Sequence, residues 1–199
     1  MCWDGPCIPG YRGGDKAVGG ANQQERLSNT EAARWFLAGL IEGEGSFAVS
    51  IKEHPTARYG FYVDPEFFIY QHKSGRRLLE MAKEIFGTGR IYPKPGNPEV
   101  LVFAITARRS LKEKVLPFVE RYMVFSTKKK ELQLFVEIVE ALERKEHHSA
   151  FGLARIVEKA YALNPAGKGR ERKRPLLEVL ERILRGHTPD PNNSVTRDG

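Results

Sequence analysis

The chain has 199 residues and a formal net charge of +7, and 41% of its residues are hydrophobic. This length can hold one domain with a complete core and terminal extensions. No apolar run approaches the roughly 20 residues of a membrane span, and the N-terminus lacks the apolar segment of a signal peptide. We therefore expect an intracellular protein, cytoplasmic or organellar and not secreted. The basic excess predicts an anionic partner, most often a nucleic acid.

The first structural signal follows a leader, residues 1–27, that is rich in glycine and polar side chains. We predict that this leader is flexible and that Cys2 and Cys7 are unpaired thiols. The sequence Ser-Asn-Thr-Glu at residues 28–31 fits a capping box. It predicts a helix from there to about residue 41.

Residues 37–45 contain the most informative pattern of the chain, Leu-Ala-Gly-Leu-Ile-Glu-Gly-Glu-Gly. Gly39 and Gly43 lie four residues apart and therefore share one helix face. Because glycine costs a helix about 1 kcal/mol relative to alanine, two on one face predict the close approach of a second helix. Glu42 and Glu44 lie at the negative end of the helix dipole, where a compensating cation is expected. The pattern is typical of a divalent-metal site at the end of a packed helix pair.

Alternating and helical hydrophobic patterns predict the remaining elements. The predicted strands are residues 46–52, 60–71, 89–93 and 99–106, and the predicted helices are residues 73–86, 111–122, 126–146, 149–163 and 176–184. A linker at residues 94–98 would join the last two strands, and Pro117 predicts a break or kink. The order predicts an α+β fold in which helices cover one face of a four-stranded antiparallel sheet. The uncovered face would form a saddle for the DNA major groove.

This order also divides the chain into three parts. We expect a core over residues 28–146, followed by a helical C-terminal extension and a disordered tail over residues 147–199. A basic cluster in the extension could bind phosphates beyond the core, or could be a solvated loop. Its members are Lys168, Arg170, Arg172, Lys173 and Arg174.

The run at residues 37–45 resembles the LAGLIDADG motif of homing endonucleases, with glutamate at both aspartate positions. The resemblance covers about residues 31–142 and is strongest to the single-motif, homodimeric members encoded in rRNA introns; residues 63–72 and 114–118 also carry it. It implies an αββαββα core and a site-specific endonuclease that cuts both strands of double-stranded DNA. Since each chain has one motif, two chains would be needed, which implies a homodimer and a long pseudo-palindromic target. Cleavage would be metal-dependent and leave short 3′ overhangs.

The resemblance also assigns roles within the site. Glu44, with the backbone carbonyl of Gly43, would bind Mg²⁺, for which Mn²⁺ could substitute. Glu42, two residues away on a helix, points well round from Glu44, which favours a structural or interface role over direct metal ligation. Gln71 would orient the nucleophilic water, and Lys128 would stabilise charge on the phosphate. The plainer alternatives are a solvated acid at the helix end, an amide that bonds backbone, and a solvated lysine at a helix start.

By matching position, several further residues would contact DNA. They are Ser50 and Lys52 on the first strand and Arg90, Tyr92 and Lys94 at the third. Arg76, on the helix between the second and third strands, lies near a basic position that in the family approaches the active-site solvent, and the register leaves Arg77 open. Each strand assignment depends on register, because a slip of one residue reverses the faces. Two other functions fit the same fold: an RNA-binding maturase for the chain's own intron, and a DNA-binding regulator.

Overall fold

A computed structural model describes residues 31–124, 126–163 and 174–186. The predicted leader, both cysteines, the start of the capping box and residues 168–173 of the basic cluster lie outside the described residues. No helix in the described ranges is long and apolar enough to cross a membrane.

The elements follow the predicted order. They are α1 (Glu31–Glu44), β1 (Gly45–Glu53), β2 (Phe61–His72), α2 (Arg76–Phe86), β3 (Arg90–Lys94), β4 (Asn97–Ile105), α3 (Arg108–Ser110, then a π-helical segment Leu111–Val115, then Leu116–Tyr122), α4 (Lys129–Glu143), α5 (Ala150–Leu163) and α6 (Leu176–Arg185). The predicted α+β class with an αββαββα core and helical extension is confirmed. In α3, the chain remains helical through Pro117. The π-helical segment lies directly before this proline, which has no N–H to donate.

The four strands form one antiparallel sheet in the order β1-β2-β4-β3. Gly45 of β1 is paired with Ile69 of β2, and β4 pairs with β2 from Phe67 to His72. The outer part of β2, residues 61–66, therefore has β1 beside it but not β4.

The link between β3 and β4 differs from the predicted five-residue linker. Lys94 pairs directly with Asn97, so the turn contains only Pro95 and Gly96. Gly96 has φ = 79°, a left-handed conformation that glycine adopts at little cost and that tight hairpins need. The start of β4 is polar and exposed, and a hydrophobic pattern therefore did not reveal it.

One face of the sheet carries the core. Phe47 and Val49 of β1, Phe67 of β2 and Phe103 of β4 are buried beneath the helices. The intervening residues of β1 and β2 remain partly exposed on the opposite face. The alternation in the sequence predicted one apolar and one accessible face of the sheet, and the structure has both.

The C-terminal helices share this core. Ile156 and Val157 of α5 and Val179 and Ile183 of α6 are buried in the same cluster. Arg182 lies 4.9 Å from the centre of the Phe61 ring. These contacts fix α6 against the outer end of the β1–β2 hairpin.

Candidate active site and nucleic-acid interface

The motif helix ends at an abrupt junction with the sheet. Glu44 is the last residue of α1 and Gly45 is the first residue of β1. A Cβ atom on Gly45 would lie 2.4 Å from the carbonyl oxygen of Ile41, so a side chain does not fit there. Glu44 is exposed, and its carboxylate has no hydrogen bond or ion pair within the described residues. Within the part of the chain that the structure describes, the junction therefore presents a carboxylate without a partner.

Lys128 reaches the same junction from the loop before α4. Its Nζ donates hydrogen bonds to the carbonyl oxygens of Gly45, at 2.8 Å, and Ile41, at 3.3 Å. These carbonyls lie at the helix C-terminus, where a positive charge is stabilising. The structure thus brings Lys128 to the end of the motif, and neither of its two partners is the Gly43 carbonyl.

Glu42 holds the segment that carries Lys128. Its carboxylate accepts hydrogen bonds from Ser126 Oγ (2.5 Å), Thr127 N (3.0 Å) and Thr127 Oγ1 (2.5 Å). Ser126 Oγ in turn accepts from the backbone N–H of Lys128 at 3.0 Å. Burial opposes ionisation of Glu42, but these hydrogen bonds and the charge of Lys128 outweigh it and lower its pKa. These contacts fit the structural role predicted for Glu42.

The E42Q substitution should destabilise the chain by about 1–2 kcal/mol at pH 7, since it weakens charge-assisted hydrogen bonds. The pKa of Glu42 is lower in the folded state than its unfolded-state value near 4.5. The ionised carboxylate therefore contributes to folding stability above pH 4.5, and this contribution is lost as the pH falls below that value. Urea unfolding of the wild type and E42Q at pH 7 and pH 3 measures the loss of stability and its dependence on pH. The control is E140Q, which removes an exposed acid from an i,i+4 pair with Arg144. Equal stability of E42Q and the wild type at pH 7 would show that these hydrogen bonds contribute nothing.

Gln71 lies near the end of β2, beside the end of the motif helix. It is two residues beyond Ile69, whose partner Gly45 begins β1. Its Oε1 lies 2.7 Å from the point where a Cβ of Gly75 would be, so the missing side chain leaves room for the amide. No hydrogen bond joins Gln71 to Glu44 within the described ranges. The structure therefore brings Gln71 to the same end of the sheet without direct contact.

The five strand residues predicted to contact DNA share the accessible face of the sheet. They are Ser50, Lys52, Arg90, Tyr92 and Lys94. Lys94 Nζ lies 5.4 Å from the centre of the Tyr70 ring, which shows that the face is continuous across three strands.

Two acids on this face were missed by the sequence reasoning. Asp64 accepts a hydrogen bond from Lys52 Nζ at 2.9 Å, and Glu66 accepts one from Ser50 Oγ at 2.7 Å. The signal was present, because both occupy alternate positions of β2 on this face, where Asp64 pairs with Ser50 and Glu66 pairs with Ala48. Carboxylates can accept hydrogen bonds from the amino group of cytosine, so these acids give the face two acceptors of that kind.

Arg76 does not lie with the strand residues. A short 3-10 helix at Lys73–Gly75 turns the chain away from the sheet, and Arg76 begins α2. Its Nε donates to Glu80 at 2.8 Å, an exposed pair within the helix. Arg76 is thus separate from the strand residues of the accessible face, and its contact with DNA stays a prediction. His72, at the end of β2, caps the 3-10 helix, because its side chain accepts a hydrogen bond from Ser74 N.

Arg174, the described member of the basic cluster, also has an acidic partner within the chain. It forms an ion pair with Glu53 at the end of β1, and Arg182 of α6 pairs with the same carboxylate. These pairs attach the extension to the hairpin, so Arg174 has a structural partner in this chain.

The glycine face of α1 is open. Gly39 and Gly43 are exposed, and beyond the backbone of α1 itself a Cβ on either would meet no atom of the described residues within 4 Å. Trp35 and Phe36, on the same helix, are 44% and 55% exposed. A groove of about 230 Å³ runs beside Gly39 toward Tyr122. Nothing in the described chain uses the close approach that these glycines permit.

The donor set fits half of a magnesium site. Among the described residues, no group of three or more His, Cys, Asp or Glu side chains could hold a metal. Mg²⁺ usually takes one or two carboxylates together with substrate phosphate and waters. One free carboxylate at a helix end therefore fits a site completed by a second chain and by DNA.

Comparison with known proteins identifies the family. The model of the LAGLIDADG endonuclease family matches residues 37–139. The chain is 45% identical over 109 residues to DNA endonuclease I-CeuI of Chlamydomonas moewusii, a stretch of 54% of this chain and 50% of that protein. It is 33% identical over 150 residues to homing endonuclease I-ApeII of Aeropyrum pernix, covering 74% of this chain and 88% of the relative.

A solved structure agrees with this relationship. The archaeal intron-encoded homing endonuclease I-Vdi141I, in complex with DNA, superposes with a TM-score of 0.72 and 35% identity over 77% of this chain and 96% of that one. The matched region contains the motif junction, Gln71 and Lys128. The chain belongs to the LAGLIDADG endonuclease family.

Proposed function

We propose that the chain is a site-specific homing endonuclease that cuts both strands of DNA as a homodimer. The observation that carries this is the junction at Glu44, where an exposed carboxylate lies at the end of a helix whose glycine face no described residue covers. The DNA-bound and intron-encoded relatives support DNA as the substrate and intron homing as the role. An intracellular location goes with this function.

The accessible sheet face binds the duplex. Lys52, Arg90 and Lys94 supply positive charge toward the phosphates, and Tyr92 and Ser50 supply groups that contact base edges. The strands lie in the major groove, where each base pair has a distinct donor and acceptor pattern. A long target follows, since two such faces are aligned along one duplex.

The second copy binds through the open face of α1. Helices that pack at glycine approach more closely than helices with larger side chains. The two Glu44 junctions then lie on either side of a two-fold axis, near the centre of the duplex. Two-fold symmetry implies a pseudo-palindromic target.

Hydrolysis takes place at these junctions. Glu44, with the Gly43 carbonyl, would hold Mg²⁺, and Mn²⁺ could replace it; the bound ion would polarise the phosphodiester and supply a water that deprotonates near neutral pH. Lys128 lies where its ammonium can stabilise negative charge that develops on the phosphate. Gln71 offers an amide beside the same helix end to orient the attacking water.

The test is incubation of the full chain and Mg²⁺ with the host gene lacking its intron. We expect one double-strand break at the insertion site, with short 3′ overhangs on end mapping, and no cleavage in EDTA. Absence of cleavage, with tighter binding to the folded intron RNA than to the duplex, would instead support a maturase. Specific duplex binding without cleavage in any divalent metal would support a regulator.

A further inference from the structure

A second cavity, lined by both polar and apolar side chains, lies at the outer end of β2, away from Glu44. It has a volume of about 410 Å³ and is enclosed on one side by the β2 edge that β4 does not cover. Its lining combines residues of β2, the preceding turn, the start of α3 and the loop before α5. These residues include Arg58, Tyr62, Asp64, Arg108, His147 and His148.

The charge of this cavity is positive. Arg58 donates to the backbone oxygen of His148 at 3.2 Å and has no carboxylate partner within the described residues. Arg108 has no hydrogen-bond or ion-pair partner in the described ranges. Asp64 is the one acid among the lining residues, and Lys52 already binds it. Two guanidinium groups therefore face this cavity without a counter-ion from this part of the chain.

His147 adds a polar atom that lacks a partner. Its Nδ1 is buried and makes no hydrogen bond in the described chain. Burial lowers the pKa of His147, and the charges of Arg108 and His148 lower it further. A buried polar atom without a partner is unfavourable, so a ligand that supplies one would be stabilised.

The position of Arg108 adds to this pattern. It lies in the first turn of α3, where the helix dipole disfavours a positive charge. The next residue, Arg109, is in the same turn but is paired with Glu113 at 2.8 Å. Arg108 is thus the one of the two neighbouring arginines that remains available to an anion.

We propose that this cavity binds a phosphate group of the DNA backbone, at the outer end of the target. This inference rests on the proposed function. Tyr62 and Asp64 belong to the accessible sheet face, so the cavity opens beside the saddle. A sheet in the major groove has a sugar-phosphate backbone along each edge. Residues 61–66 of β2 do not pair with β4, so this edge of the strand lies beside the cavity. Guanidinium groups suit phosphate because their fork of N–H donors matches its oxygens.

The experiment compares R108Q with R109Q in the full chain, binding a duplex that spans the insertion site, with Ca²⁺ in place of Mg²⁺. Each variant removes one positive charge from the same helix turn, and loss of Arg108 should not destabilise that turn. For R108Q we expect roughly three- to tenfold weaker binding and a slope of log K against log salt smaller by about 1. R109Q should match the wild type. Equal behaviour of the two variants would overturn the proposal.

An uncharged methylphosphonate in place of a single DNA phosphate can identify the phosphate that Arg108 contacts. Methylphosphonate substitution at successive positions should weaken wild-type binding at one outer phosphate of each half-site. At that position the substitution should have no further effect on R108Q. If the losses add instead, Arg108 does not contact that phosphate and the inference fails.

Two further outcomes separate the possible failures. Inorganic phosphate alone, followed through the side-chain nitrogen resonances of His147, tests a free phosphate as the ligand. If it shifts them while R108Q binds duplex normally, the cavity takes a small phosphate and the DNA contact is wrong. If the wild type binds no duplex specifically, the proposed function fails before the cavity is tested.

Discussion

The E44Q variant is expected to bind its target duplex as the wild type does but to cleave it at least about a hundredfold more slowly. Mutation of a group that only supports a metal ligand typically lowers metal affinity or activity 10- to 100-fold, so loss of a direct ligand should lower activity further. Binding should persist because Glu44 lies at the helix junction and not among the strand residues that face the groove. Single-turnover cleavage in Mg²⁺ and a binding titration in Ca²⁺ measure the two quantities.

The control for this variant is E158Q, which removes an exposed acid from α5. It should cleave normally. If E44Q retained wild-type cleavage in Mg²⁺, Glu44 would be a solvated helix-end acid and the assignment of the metal site would be wrong. If E44Q lost duplex binding as well, the carboxylate would act in binding.

The G39L variant should be folded and monomeric. The Cβ of leucine at position 39 would meet no atom of the described residues within 4 Å beyond the backbone of α1, and leucine has a higher helix propensity than glycine. Its side chain would occupy the space that a second α1 helix needs. Overpacking of this kind typically costs 1–3 kcal/mol, so the dimer dissociation constant should rise by about tenfold or more.

Sedimentation velocity over a range of concentrations measures this change, and thermal unfolding verifies that the monomer is intact. The control is G39A, whose single methyl group should disturb the interface less. Double-strand cleavage by G39L should fall with the loss of dimer at concentrations where the wild type is dimeric. An unchanged dimer would show that the face of α1 containing Gly39 is not the interface.

Much of the fold could be predicted because hydrophobic periodicity reports burial directly. Alternation in β1 predicted that Ser50 and Lys52 share the accessible face, and their contacts with β2 agree. The same method failed at Asn97, since an exposed polar strand end has no apolar pattern.

The site was only partly predictable. Glu44 and Gly39 belong to one local motif, and the motif suggested their roles. The hydrogen bonds of Glu42 join residues 84 and 85 positions apart, and Lys128 reaches the motif across a similar separation. Such long-range contacts leave no periodic signal. The cavity at Arg108 and His147 likewise exists only because distant elements meet at the free edge of β2.

The central claim is that two Glu44 carboxylates hold catalytic metal at the centre of a DNA-bound dimer. The most direct measurement is an anomalous difference map from crystals of the full chain with uncleaved target duplex and Mn²⁺. We predict two chains per duplex, with α1 packed on α1, and Mn²⁺ peaks within about 2.2 Å of Glu44 oxygens and scissile phosphates. Mn²⁺ peaks remote from both Glu44 side chains, or a single chain on the duplex, would contradict the account.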